Sequence, residues 1–135
     1  MRILYLTYGS QSHVIRFLSD ALRRRGCDVT VVNVAEKVSY RHPSLKIPSL
    51  RPSNLLNALL AMSQFGGEWR KYFRRTDCAF HLMSREAGRV LERCRGQFDV
   101  VLQSGALFSA SAAKEWAPYC LYIDHTYAIS KRYQP

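Results

Sequence analysis

Two short apolar, β-branched runs, residues 2–8 (RILYLTY) and 28–34 (DVTVVNV), enclose one amphipathic stretch, and this arrangement restricts the fold more than any other feature of the chain. Runs of this length without polar alternation are the pattern of strands covered on both faces by helices. Between them Val14, Ile15, Leu18, Ala21 and Leu22 recur at helical spacing. Ser12 stands where an N-cap is wanted, and Gly26 where a helix ends in a left-handed residue. Arg23, Arg24 and Arg25 suit the negative end of that helix and read as a solvated last turn rather than a phosphate contact. A strand, a helix and a strand at this spacing form a right-handed crossover in a parallel sheet.

The remaining chain extends the same alternation. Residues 40–53 hold three prolines, which exclude a long helix and leave room for a short strand around Leu45 to Ile47. Residues 54–75 read as a helix broken at Gly66-Gly67 and followed by a basic, aromatic turn. Thr76 or Asp77 can cap the next helix, whose stripe is Ala79, Met83, Ala87, Val90, Leu91 and Cys94, closed by Gly96. A third strand follows at 98–103 (FDVVLQ), then a loop with a short helix, then a fourth strand after Pro118 (YCLYIDHTY). No repeat or low-complexity segment interrupts this order. The expectation is one Rossmann-like α/β domain over 1–135, a parallel sheet with helices on both faces and the 2–8 and 98–103 strands adjacent at its centre. Ligands of such sheets sit outside the carboxyl ends of the strands where the strand order reverses. The segments that follow strands here are Gly9 to His13, Ser104 to Ser109 and Asp124 to Tyr127.

Twenty Lys and Arg against ten Asp and Glu give a net charge of +10, which favours anionic neighbours without choosing among them. No nucleic-acid recognition motif accompanies that charge, so nucleic acid is not an expected partner. Cys27, Cys78, Cys94 and Cys120 lack CxxC or metal-ligand spacing, and Met1-Arg2 runs straight into a strand. They are expected to be reduced, mostly buried thiols in a cytoplasmic protein, and no metal site is expected. The most apolar stretch, residues 55–62 (LLNALLAM), is too short to span a bilayer.

The first loop, Tyr8-Gly9-Ser10-Gln11-Ser12-His13, invites comparison with phosphate-binding loops. A dinucleotide fingerprint needs G-x-G-x-x-G and an acid after the second strand; this loop has one glycine, and Glu36 is displaced. A Walker A loop fails because the chain contains no G-K-[ST]. "YGSQS" is similar to the FMN-phosphate loop of flavodoxins, but His13-Val14 replace the Gly-Thr that closes on the phosphate, and the net charge is opposite to that family's acidic balance.

The broader resemblance is to the N-terminal domain of GT-B glycosyltransferases of family 4. In "HVIRFLSDALRRRGCDVTVVNV", Leu18, Leu22, Arg25, Gly26, Val29 and Val31 stand in the places of that family's "v..La..L..rGHeVtVv" pattern, with Cys27-Asp28 for its His-Glu. "FDVVLQSGALFS" resembles the family's ".DvvhahG" strand and loop, and "APYCLYIDHTY" its "..P.v.t.HD" segment. The resemblance implies an acceptor-side domain that faces a separate donor-binding domain, retention of anomeric configuration, no metal, and a nucleotide sugar as substrate rather than a cofactor. A chain that stops at Pro135 would then be a fragment or one half of a split enzyme. The implied substrate contacts are Gly9, Ser10, His13, Ser104 and Gly105. The implied sugar contact in the cleft is His125, or Asp124 if the order Asp-His-Thr shifts the alignment by one residue. The acceptor would be a sugar or a lipid-linked acceptor. Arg70, Lys71, Arg74 and Arg75, interleaved with Phe65, Trp69, Tyr72 and Phe73, suit docking at the inner face of an anionic membrane. The alternative for that segment is a core helix with a solvated basic face.

Overall fold

The computed structural model describes residues 1–9, 13–41 and 49–123. Strands β1 (Arg2–Thr7), β2 (Asp28–Asn33), β3 (Val100–Ser104) and β4 (Tyr119–Tyr122) form one parallel sheet in the order β2-β1-β3-β4. The two strands expected at the centre are there, and the chain is an α/β Rossmann-like domain. Tyr5 is in register with Val31 on one side and Leu102 on the other. Because side chains alternate along a strand, Ile3 and Tyr5 face one layer of the molecule while Leu4 and Leu6 face the other.

Helix α1 (His13–Arg24) covers the first face, packing Ile15, Leu18 and Leu22 on Ile3, Tyr5 and Val29. It ends in a Schellman motif: the Gly26 amide donates to Arg23 carbonyl at 2.9 Å, and the Cys27 amide to Leu22 carbonyl at 3.1 Å. Gly26 has φ +78°, the left-handed conformation expected at that position. The second face carries the larger core, where Leu4, Leu6 and Val101 meet Met83, Ala87 and Leu91 of α4 (Asp77–Arg93). Thr76 caps α4, its hydroxyl accepting from the Ala79 amide at 3.0 Å.

Several boundaries differ from expectation for physical reasons. Helix α2 (Pro52–Phe65) begins two residues early because Pro52 occupies its first turn, where a missing N–H and a fixed φ are assets rather than a break. The Gly66-Gly67 break is a 3₁₀ turn (Gly66–Glu68) leading into the single-turn helix α3 (Trp69–Tyr72). Strand β3 begins at Val100 rather than residue 98. The pairing with β1 ends at Asp99, whose amide donates to the Arg2 carbonyl at 2.9 Å while its carboxylate, rather than a backbone carbonyl, takes the Arg2 amide at 2.7 Å and the Arg2 guanidinium at 3.1 Å. The short helix before β4 is a 3₁₀ turn (Ser111–Glu115). The cysteines, expected mostly buried, are half-buried at Cys27, Cys78 and Cys94 and exposed at Cys120, and all four are unpaired thiols. Ser12 and the segment Leu45 to Ile47 lie outside the described residues.

Among the described residues Glu86 is the one buried carboxylate. It pairs with Lys37 and, at 3.1 Å, with Arg89. Burial pushes its carboxyl up, but the hydrogen bonds and charges of Lys37 and Arg89 outweigh burial and hold it below the ordinary value. A depressed folded pKa gives stability that is present above the unfolded value and is lost as pH falls through the folded one. Glu86→Gln is therefore expected to cost about 1 kcal/mol at neutral pH, discounted because Lys37 and Arg89 are half exposed. Urea denaturation at pH values stepping down through the ordinary 4.5 should show the two proteins converging; a constant gap would sink this account.

Candidate functional site

The strand order reverses at β1 and β3, since the chain leaves β1 towards β2 on one side and returns to β3 on the other. The carboxyl ends of these two strands are therefore the site that the topology defines. Thr7 ends β1, and its hydroxyl donates to the Gly9 carbonyl at 3.1 Å. Space beside Gly9 is open: a Cβ there would meet nothing within 4 Å. Ser104 closes β3, and Gly105 follows with φ +82° and its amide donating to Tyr122 carbonyl at 3.0 Å. The Tyr8 ring lies on Gly105, where a Cβ would stand 2.4 Å from Tyr8 Cε1. The positive φ favours glycine at 105, a larger residue would also displace the Tyr8 ring, and this contact ties the loop after β1 to the loop after β3.

Gly9, Ser104 and Gly105 thus follow or end the two adjacent central strands at one rim, and His13 begins α1. His13, Val14, Phe17 and Leu18 of α1 and Tyr122 of β4 line an apolar cavity of about 460 Å³ on this side of the sheet. Phe17 is 72 % exposed despite its size. The Tyr5 hydroxyl, on the same sheet face, is fully buried and makes no hydrogen bond among the described residues. Burial pushes its phenol up, while the Ser104 side chain pulls it partly back and Tyr122 adds to the rise. The rim can thus receive a ligand with a polar end at the loops and an apolar part against α1. Sequence reasoning missed Tyr5 and Tyr122; strand parity carries a signal for them, but the register that joins them to Ser104 does not show in the sequence. Ser10, Asp124 and His125 lie outside the described residues.

A buried glutamine fixes the loop after β3. Gln103 Nε2 donates to the Gly105 carbonyl at 2.8 Å and the Phe108 carbonyl at 2.7 Å. Its Oε1 accepts from the Ala110 amide at 3.0 Å and the Tyr119 hydroxyl at 2.7 Å. All four of its hydrogen-bonding positions are used.

The basic residues lie away from this rim, around the α2–α3 corner. Arg70, Lys71 and Arg74 line a cavity of about 370 Å³ with Ser39, Tyr40 and Arg41, a cation that sequence reasoning did not place with them. Arg75 stands 5.5 Å from the centroid of the Tyr72 ring, and Arg70 5.3 Å from that of Trp69. Of the four aromatics read as interfacial, Phe73 is corrected: it is 2 % exposed and belongs to the core. Phe65 and Tyr72 stack at 4.8 Å. Among the described residues, no cluster of three His, Cys, Asp or Glu is placed to hold a metal ion, and no helix is long and apolar enough to cross a membrane. Comparison with protein-family models, with curated proteins and with solved structures finds no match to this chain.

Proposed function

We propose that the chain is the N-terminal, acceptor-side domain of a retaining glycosyltransferase that moves a sugar from a nucleotide sugar to an acceptor hydroxyl. The observation that supports this reading is the meeting of the loops after β1 and β3 at their switch point, where the Tyr8 ring lies on Gly105, with His13 lining the apolar cavity beside Tyr122. In the reaction the bond from the anomeric carbon to the diphosphate breaks, a bond to the acceptor oxygen forms, and the acceptor hydroxyl's proton passes to the departing diphosphate, on which negative charge develops. Backbone N–H groups at the start of a helix stabilise such charge as it develops. The first loop and the start of α1 are assigned that task, the apolar cavity beside α1 takes the acceptor, and a donor-binding domain supplies the nucleotide site.

The test uses the chain alone and joined to its donor-binding half, with release of nucleoside diphosphate as the readout. The joined protein should turn over nucleotide sugar in the presence of acceptor, and the chain alone should not. Turnover by the chain alone would overturn the two-domain reading, and its absence in the joined protein would overturn transfer. In the joined protein His125→Ala should lower turnover about tenfold or more with little change in melting temperature, the lower range for a positioned polar group. If Asp124→Ala is the damaging change and His125→Ala is silent, the sugar contact moves by one residue; activity in both variants removes it from this segment.

A second reading, a stand-alone docking subunit of a split transferase, is favoured by the exposed leucines of α2. A donor half active without this chain, yet recruited by it to an acceptor-bearing surface, would decide for that reading. A third, an FMN domain, would give a yellow protein; a colourless one is expected.

A further inference from the structure

Helix α2 is built inside out. Its sequence, PSNLLNALLAMSQF, contains no charged residue, yet the side chains it buries are Asn54, Asn57 and Ala61. Leu55, Leu56, Leu59, Leu60 and Met62 are all exposed, Leu59 at 64 % and Leu56 at 55 %. At 3.6 residues per turn these five outward positions cover an arc of roughly 160°. The asparagines are held by specific partners rather than left inside by default. Asn54 Nδ2 donates to Ser49 Oγ at 2.9 Å and Lys37 carbonyl at 3.1 Å, and Asn57 Nδ2 donates to Phe73 carbonyl at 2.8 Å. A leucine-rich face fixed outward by a buried polar one is an unpartnered surface.

Its surroundings say what partner fits. Between residues 51 and 75 stand Arg51, Arg70, Lys71, Arg74 and Arg75, with Glu68 the only acid. Beside the leucines an apolar slot of about 350 Å³, lined by Leu55, Ala58, Met62 and Trp69, shares Tyr40, Arg41 and Arg70 with the basic cavity of about 370 Å³. Lys71 has Glu68 at 3.6 Å, the one carboxylate partner of these cations among the described residues. An apolar slot that opens into a guanidinium-lined pocket matches an amphiphile with an anionic head. A second copy of the chain would set like charges against each other across the same face. At about 21 Å long, α2 is also too short to span a bilayer and suited to lying in its interface.

We infer that α2 and the α3 corner form a docking surface for an anionic lipid bilayer. The leucines enter the acyl boundary, a lipid phosphate sits among Arg41, Arg70 and Arg74, and the neighbouring slot takes the upper part of its chain. This surface is on different elements from the β1–β3 rim and does not depend on the transferase reading.

Co-sedimentation of the whole chain with phosphatidylcholine vesicles, with and without phosphatidylglycerol, tests it. Binding should need the anionic lipid and fall at least about tenfold in Arg70→Glu/Arg74→Glu and at about 1 M salt, where the Debye length is about 3 Å. It should fall comparably in Leu56→Gln/Leu59→Gln with the charges intact, which a purely electrostatic contact would not. In a Trp116→Phe background the emission of Trp69 should shift to the blue on binding, as the ring enters an apolar medium. Inorganic phosphate should compete no better than sodium chloride of equal ionic strength; specific competition would assign the pocket to a free phosphate and overturn the lipid. Absence of binding, or binding unchanged in either double variant, overturns the proposal. So does a concentration-dependent dimer abolished by the leucine changes, which would give the face to a second copy.

Discussion

Replacement of Gln103 by leucine is expected to destabilise the domain by about 3 kcal/mol, lowering the melting temperature by roughly 10–15 °C. The side chain is 2 % exposed and its amide joins three groups of the loop after β3, the Gly105 and Phe108 carbonyls and the Ala110 amide, to the Tyr119 hydroxyl of β4. Leucine fills a similar volume but leaves those groups without a partner, and a buried polar group left unsatisfied costs about 1–3 kcal/mol. Solvent reaching part of the loop keeps the total below the sum. Tyr119→Phe removes one of the four bonds and its donor together, so about 1 kcal/mol is expected there. Gln103→Glu should be as harmful as the leucine at neutral pH, because a carboxylate cannot donate to the two carbonyls and places a charge in the core. Thermal and urea unfolding of the three variants give the ranking. A Gln103→Leu protein within about 0.5 kcal/mol of the parent, the range of ordinary surface changes, would show that the network holds nothing. The effect also reaches the candidate site, because Gly105, the residue beneath Tyr8, hangs from this amide.

The sequence pattern carried the frame of the fold and lost its polar interior. The β1–α1–β2 unit was legible because each signal in it is local: apolar runs, helical spacing over Val14 to Leu22, and Gly26 at the one position where a Schellman turn needs a left-handed residue. That the loops after β1 and β3 meet was legible from topology, since a parallel sheet places its strand ends at one rim. Gln103 looked like the end of an apolar run, because its partners at 105, 108 and 110 lie in an irregular loop with no periodic signal and the one at 119 lies on another strand. Pro52 was read with a proline-rich breaker, although the same ring is favourable one residue into a helix. The core-helix alternative for this segment would have turned the leucines at 55, 56, 59 and 60 inward, since apolar side chains are usually inside. Periodicity identifies the stripe on a helix but not which way the stripe faces. Here the direction is set by Asn54 and Asn57, whose partners at 37, 49, 73 and 76 do not enter any local pattern.

That inversion yields the second large effect. Asn57 is fully buried; its Nδ2 donates to the Phe73 carbonyl, and its Oδ1 accepts from the Thr76 hydroxyl. The same hydroxyl accepts from the Ala79 amide and so caps α4, which makes Asn57 the joint between α2 and the helix covering the large core. Asn57→Leu should therefore lower stability by about 2–3 kcal/mol, roughly 8–12 °C in melting temperature, although it puts a better helix former in a buried site. Leu59→Gln, a loss of apolar volume on the same helix, should stay within about 0.5 kcal/mol of the parent. Ordinary amphipathic helices give the opposite ranking, since truncating a buried leucine costs about 2–5 kcal/mol and changing a surface asparagine costs little. The pair of unfolding measurements thus determines how α2 is rotated about its own axis. If Leu59→Gln were the damaging change and Asn57→Leu the silent one, the leucines would face the core, and the apolar half of the docking surface would not exist.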